Sequence, residues 1–258
     1  MPTFDPAKEN GTKMKCLILA AGYATRLYPL TENFPKPLLE INGKSILDWL
    51  VDDISTSDNI DGFVVITNHK FAPHFSRWAE GKSQSITIVD DGTSTNETRL
   101  GAVRDIQYAI DTLHIDDDIM VIAGDNVLDF SLTRFIDYAI KKGTSAIFRY
   151  TEPEKARLQR TGVMVIDADD RVLEMQEKPQ EPKTTWACPP FYCYTREDAK
   201  LIAEGIKAGC GTDAPGSYIA WLCKRSTVHA MEMPGRRYDI GNLASYEEVK
   251  AIYKGITI

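Results

Sequence analysis

Leu17-Ile18-Leu19-Ala20-Ala21-Gly22-Tyr23-Ala24-Thr25-Arg26-Leu27-Tyr28-Pro29-Leu30-Thr31-Glu32-Asn33-Phe34-Pro35-Lys36-Pro37-Leu38-Leu39-Glu40 leads from an apolar run into a small-residue loop, and then to a lysine set between two prolines. The apolar run begins at Cys16, ends at Ala21 and reads as a buried strand. Ala20, Ala21, Gly22 and Ala24 put little side chain in the way, so backbone N–H groups of the turn can approach an anion. Thr25 and Arg26 close the turn, and Lys36 follows ten residues after Arg26. An arginine can fork across two phosphate oxygens, whereas a lysine is a compact point charge. A buried strand that delivers a tight loop and two fixed cations is a way to hold a polyphosphate. Read singly, the Gly22 turn and the Pro-Lys-Pro segment fit an ordinary turn and a solvated loop as well.

Working outward, short apolar runs alternate with helical spacings through the first half. The patterns predict strands near 15–20, 62–67, 85–90, 119–123 and 144–150, with helices near 45–56, 71–80, 100–113 and 131–142. Ser45 precedes Ile46, Leu47, Leu50, Val51 and Ile54, a helical face behind a serine cap. Such alternation predicts an α/β fold: a Rossmann-like, mostly parallel sheet sandwiched by helices, with ligands beyond the carboxyl ends of the strands. The second half predicts strands near 161–167, 171–176, 189–194 and 226–232, the first three as a small antiparallel substrate-binding insert. Helices are expected near 196–208, 215–224 and 243–254. No linker breaks the pattern. Residues 1–13 read as a polar tail and 14–258 as one domain, with a nucleotide-binding half (14–150) and an acceptor-binding half (151–258).

Composition narrows the partners. Hydrophobic residues make up 43% of the 258 residues and charged residues 26%, ordinary values for a globular protein. A net charge of −7 without a basic run argues against nucleic acid. No apolar run approaches the roughly 20 residues of a membrane span, and the polar first residues lack the core of a signal peptide. Five cysteines form no Cys-x-x-Cys pair, so reduced thiols in a cytoplasmic protein are expected rather than zinc or disulfides. A small polyanionic substrate needs only a few local cations and a metal.

Three further segments could carry chemistry. Ile119-Met120-Val121-Ile122-Ala123-Gly124-Asp125-Asn126 is a buried strand ending in an acid, which suits a hard cation ligand or, equally, a turn cap. Arg236-Arg237-Tyr238-Asp239-Ile240-Gly241-Asn242 follows a strand and enters a helix, so Asp239 fits a second carboxylate or a capping region. Glu177-Lys178-Pro179 follows the Gly162-Val163 strand and fits an exposed turn when read alone. Between strand and helix, Asp91 to Val103 places Asn96, a donor and an acceptor in one side chain, and Gly101, with Thr98 as the candidate helix cap.

Together these landmarks resemble the sugar-1-phosphate nucleotidyltransferases, whose signature Leu-Ala-Gly-Gly-x-Gly-Thr-Arg-Leu-x-Pro-x-Thr is followed by Pro-Lys-Pro. The match covers Leu19, Ala20, Gly22, Thr25, Arg26, Leu27, Pro29, Thr31, Pro35, Lys36 and Pro37, and the landmarks stay in family order over residues 14–254. Two family glycines are alanines here, Ala21 and Ala24. The resemblance implies that Arg26 and Lys36 are catalytic and that Ala20, Ala21, Gly22, Thr25, Asn96, Gly101 and Gly124 bind the nucleotide. It further implies Gly162, Glu177 and Lys178 on the acceptor, with Lys178 on its phosphate, and Mg²⁺ on Asp125 and Asp239. The implied reaction joins a nucleoside triphosphate, a pyrimidine one (UTP, dTTP or CTP) favoured, to a sugar 1-phosphate with release of pyrophosphate. A homo-oligomer fits this reading as well as a monomer does.

The chain departs from the family at Trp186 to Tyr194, where Pro190 stands in place of a glycine, so that pocket wall must differ. Its aromatic strand fits hydrophobic core as well as substrate contact. A cytidylyltransferase acting on a non-sugar phosphate or phosphonate is therefore the alternative. A glycosyltransferase of related architecture would need Asp-x-Asp at the strand end, whereas Asp116-Asp117-Asp118 precedes the strand. A catalytically dead subunit should have lost the cations or the aspartates, and all are present.

Overall fold

A computed structural model describes residues 13–258, so the expected tail lies outside the described residues except for Lys13. The strands are β1 (Met14–Leu19), β2 (Glu40–Ile41), β3 (Lys44–Ser45), β4 (Ile60–Thr67), β5 (Ile86–Asp90), β6 (Asp118–Ala123) and β7 (Val127–Leu128). They continue as β8 (Ser145–Thr151), β9 (Gly162–Ile166), β10 (Val172–Glu177), β11 (Trp186–Cys188), β12 (Phe191–Tyr194), β13 (Val228–Glu232) and β14 (Arg237–Tyr238). The helices are α1 (Ile46–Ile54), α2 (Ala72–Glu80), α3 (Ala102–Leu113), α4 (Thr133–Lys142), α5 (Lys155–Leu158), α6 (Arg196–Lys200), α7 (Ile202–Lys207), α8 (Gly216–Leu222) and α9 (Leu243–Ile252).

The apolar run of the quoted stretch is a central strand. β1 pairs in parallel with β4 on one side and β6 on the other, Leu17 standing opposite Val64 and Val121. Cys16 and Ile18 pack on one face and Leu17 on the other, and all three are fully buried, as a parallel strand covered on both sides requires. One ten-stranded sheet runs β10-β9-β11-β8-β12-β6-β1-β4-β5, with β13 paired to β8. The stretch β5-β4-β1-β6 is parallel, and from β12 outward the ladder turns antiparallel, apart from β13, which runs parallel to β8. The fold is the α/β sandwich expected, and its antiparallel strands continue the main sheet. β1, β4 and β6 end on the same edge, which brings the loops after Leu19, Thr67 and Ala123 together.

Local signals explain most boundaries. Ser45 caps α1 in a capping box: its Oγ accepts from Asp48 N–H at 3.0 Å, and Asp48 Oδ2 accepts from Ser45 N–H at 3.2 Å. The strand expected over 189–194 begins only at Phe191. Pro189 and Pro190 have no N–H to give a ladder, so they separate β11 from β12. The helix expected over 196–208 is two, α6 and α7. At Leu201 the N–H reaches back only three residues, to Asp198 O at 3.1 Å, which breaks the α-helical ladder. The α3 cap is Gly101 rather than Thr98, whose hydroxyl instead bonds Thr95 O at 3.1 Å.

Candidate functional site

The loop after β1 is clasped from three sides. Ala20 N–H donates to Ile66 O at 2.8 Å, which ties the loop to the end of β4. Asn68 is fully buried; its Nδ2 donates to Ala21 O at 2.9 Å while its Oδ1 accepts from Phe71 N–H at 3.0 Å. Thr31, also buried, donates from Oγ1 to Ala24 O at 2.8 Å. Ala24 sits at φ 47° and ψ 43°, the left-handed region, and starts a single 3-10 turn, Thr25–Leu27, that presents Arg26. An alanine there costs on the order of 1 kcal/mol against glycine, and the Thr31 clasp holds it in place. Gly22 has open space in front of it: a β-carbon added there would meet no atom within 4 Å.

That space belongs to a cleft of about 240 Å³. Gly22, Ala24, Arg26, Lys36, Asp125 and Gly241 are among the residues that line it. Pro35 and Pro37 set Lys36 at the start of a short 3-10 turn, Lys36–Leu38, which buries the lysine stem and turns its ammonium inward. Lys36 Nζ meets Asp125 Oδ2 at 2.7 Å. Burial alone would raise the Asp125 pKa. The Lys36 ammonium and, more remotely, Arg237 outweigh it and hold the carboxyl below the usual range. Gly124 is required by close packing, because an added β-carbon would stand 2.8 Å from Ile18 Cγ2.

The second aspartate arrives by a small antiparallel ladder. β14 pairs with β7, Tyr238 opposite Val127 and Arg237 opposite Leu128, so the ladder carries Asp239 toward the Asp125-Asn126 end. Arg237 Nη1 donates to Asn126 Oδ1 at 3.1 Å. A β-carbon on Gly241 would lie 3.4 Å from Asp239 Oδ2 and 3.9 Å from Arg26 Nη1, which puts that carboxylate and that guanidinium on one rim. Asn242 supplies the α9 cap, accepting from Ser245 N–H at 2.9 Å, so capping does not consume Asp239. Among the described residues no three His, Cys, Asp or Glu side chains converge as a metal cluster. Asp239 itself is not among the residues that line the cleft, so a cation would draw on the two carboxylates only together with substrate oxygens, the all-oxygen donor set that Mg²⁺ takes.

Asn96, Gly101, Gly162, Glu177 and Lys178 form a second group outside this cleft. β9 and β11 pair Gly162 with Cys188, and β10 brings Glu177 opposite Gly162. A β-carbon on Gly162 would stand 3.2 Å from Cys188 Cβ and 3.4 Å from Glu177 Oε2, so the three crowd one spot. Burial pushes the Glu177 carboxyl above its ordinary value, Lys178 pulling it down and Asp213 up. Lys178 has φ 49°, and its N–H donates to Thr161 O at 3.1 Å. Phe191, Tyr192 and Tyr194 are buried in the two main cores, so the aromatic strand is core.

Gly101, at φ 92°, lies against the backbone of Thr212, where a side chain would collide with the carbonyl. Asn96 is exposed, and its Oδ1 accepts from Arg99 Nη1 at 3.0 Å. Arg99, Asn126, Asp213 and Arg237 are the residues that sequence reasoning missed. Of these Arg99, Asn126 and Arg237 lie in segments the sequence had singled out for other residues, and no local pattern marks Asp213.

A family model described as nucleotidyl transferase matches residues 15–255. The chain is similar to a glucose-1-phosphate adenylyltransferase of Fervidobacterium nodosum, 28% identical in an alignment of 250 positions that covers 90% of this chain and 59% of that one. It is also similar to a UTP–glucose-1-phosphate uridylyltransferase of Haloferax volcanii, 29% identical in an alignment of 234 positions that covers 88% of this chain and 91% of the relative. This chain thus spans about three-fifths of the first relative's length and most of the second's. Among solved structures, a UDP-glucose pyrophosphorylase complexed with UDP-glucose superposes with a TM-score of 0.78 at 19% identity, covering 94% of this chain and 98% of that one. That likeness concerns the fold.

Proposed function

The chain belongs to the nucleotidyl transferase family, and from that premise we propose that it joins a nucleoside triphosphate to a sugar 1-phosphate, releasing pyrophosphate and forming a nucleotide-sugar. The observation that carries this reading is the cleft itself: Arg26, Lys36 and Asp125 converge on the open space before Gly22. An oxygen of the acceptor phosphate attacks the α-phosphorus of the triphosphate, the bond to the β-phosphate oxygen breaks, and pyrophosphate leaves with the electron pair. Arg26 spans oxygens of the departing pyrophosphate as a fork, and Lys36 neutralises charge that grows in the transition state. The loop from Ala21 to Thr25 cradles the phosphates through its N–H groups, Ala20 fixing its start through Ile66 O and Gly124 keeping the strand ends close. Lys178 holds the attacking phosphate, Gly162 lets Glu177, Met175 and Cys188 pack close behind the acceptor, and Glu177 accepts from hydroxyls. Asn96 and Gly101 meet the base, and a pyrimidine triphosphate is the favoured substrate.

Asp125 and Asp239 would hold the Mg²⁺. When bound, the ion neutralises phosphate charge and orients the two substrates. The cytoplasm is the compartment we assign. The five cysteines are free and four are buried, as a reducing environment allows. No described helix is long and apolar enough to cross a membrane. One observation favours a second reading, a non-sugar phosphate or phosphonate acceptor: Pro189 and Pro190 follow Cys188, which packs beside Gly162, and neither offers an N–H to a sugar hydroxyl.

Pyrophosphate release from UTP, dTTP, CTP, ATP and GTP against a panel of sugar 1-phosphates, alkyl phosphates and phosphonates tests both. Release is expected with at least one sugar 1-phosphate, lost in chelator and restored by Mg²⁺, and Asp125→Asn should weaken that restoration. Release only with non-sugar acceptors would select the second reading. Full activity in chelator would remove the two aspartates from the metal role.

A further inference from the structure

The loop between α7 and α8 touches both halves of the proposed site. Its backbone closes the N-terminus of α3: Ala102 N–H donates to Asp213 O at 3.3 Å and Val103 N–H to Thr212 O at 3.0 Å. Its carboxylate faces two cations. Arg99 Nη2 donates to Asp213 Oδ1 at 2.7 Å, while Lys178 Nζ stands 3.8 Å from Oδ2. Arg99 reaches on to Asn96 Oδ1 at 3.0 Å, so a chain of polar contacts runs from Asn96 to Lys178.

We propose that Asp213 is a place-holder on Lys178: it occupies the position of the acceptor's phosphate and is handed over to Arg99 when that phosphate binds. The proposal rests on the reading of Lys178 as the acceptor lysine. The two contacts are unequal. The Arg99 bond is short and the Lys178 contact lies at the outer limit of an ion pair, so the carboxylate need only abandon its weaker partner. A phosphate dianion on Lys178 repels Asp213 and outbids it for the ammonium, while Arg99 keeps the displaced charge compensated. Both Lys178 and Asp213 are exposed, so the contact is weak enough to exchange. The backbone of Lys178 is fixed through Thr161 O, which leaves the side chain as the part that changes partner. Asp213 acts on the reaction only through Lys178 and is in this sense a positioning residue.

The test reads Lys178 directly. Reductive methylation with ¹³C-formaldehyde keeps lysine charged, and the Lys178 resonance is identified by its absence in Lys178→Arg. Inorganic phosphate is then titrated into the intact protein. Asp213→Asn retains the carbonyl that caps α3, so the fold should hold. At the Lys178 resonance it should tighten phosphate by about two- to five-fold, the worth of an exposed ion pair. In an Arg99→Gln background the gain should be larger, because Asp213 then has no second cation to move to. An equal or smaller gain there means a general loss of negative charge and overturns the hand-over. Unchanged or weaker binding in Asp213→Asn overturns the place-holder while leaving the acceptor lysine in place. A Lys178 resonance that ignores phosphate in every variant overturns the acceptor reading itself.

Discussion

Lys36 and Asp125 are 89 positions apart in sequence and 2.7 Å apart in space, and the ammonium sets the state of the carboxylate. Without the ammonium, burial would dominate at Asp125 and raise its pKa, so the pair keeps an ionised carboxylate in the cleft at neutral pH. Lys36→Ala should lose at least roughly 10²-fold in turnover, the usual worth of one fixed charge donor. Its circular dichroism should match the parent, because the turn that carries Lys36 is made by its backbone and by prolines. Near-parent rates of pyrophosphate release would remove Lys36 from the mechanism. The same variant should lose metal-dependent activity at a higher pH on acidification, since its Asp125 protonates earlier. The Pro-Lys-Pro and Gly-Asp patterns point to both residues in the sequence. That they pair is not legible there, because nothing local encodes a contact between a loop after β1 and the end of β6.

Helix α3 shows why an element can be legible while its foundations are not. Its apolar spacing predicts the helix, yet its first N–H groups are closed by a loop more than a hundred residues later. A sequence offers Thr98 as a cap; the Thr212-Asp213 carbonyls replace it and free Thr98 for a turn. In the same first turn Asp105 is buried with Oδ1 unpartnered, and burial, reinforced by Asp91, pushes its carboxyl up to about 7. The folded protein therefore holds a proton that the unfolded chain releases above about pH 4, where an ordinary aspartate titrates. Stability conferred by that proton is complete below about pH 4 and lost as pH rises through about 7. Asp105→Asn should be more stable than the parent at pH 8, by up to about 4 kcal/mol. The difference should shrink toward pH 4.5. Urea denaturation of both proteins across that range measures it, and a gap independent of pH would clear Asp105.

At the scale of the molecule, two groups of residues share one sheet edge, the cleft around Lys36 and the cluster around Glu177. If they serve different substrates, Lys178→Ala should raise KM for the phosphorylated acceptor about ten- to a hundred-fold, the worth of one charge-assisted phosphate contact. Affinity for the triphosphate, measured by calorimetry, should stay within error. The opposite pattern would mean the halves are assigned backwards. The alternation of strands and helices made the parallel half readable. The outer strands were less so, because their pairing depends on where prolines interrupt β11 and β12 and not on any periodicity.

The unbroken ladder governs how this protein fails. β12, from the later half of the chain, pairs along β6 from the earlier half. A fragment ending at residue 150 would strip that neighbour away, leaving an inner strand as a raw edge and the apolar core around Leu17 and Val121 without most of its covering side chains. Neither half is a part that can be removed and studied alone, and damage at one end of the sheet is shared with the other.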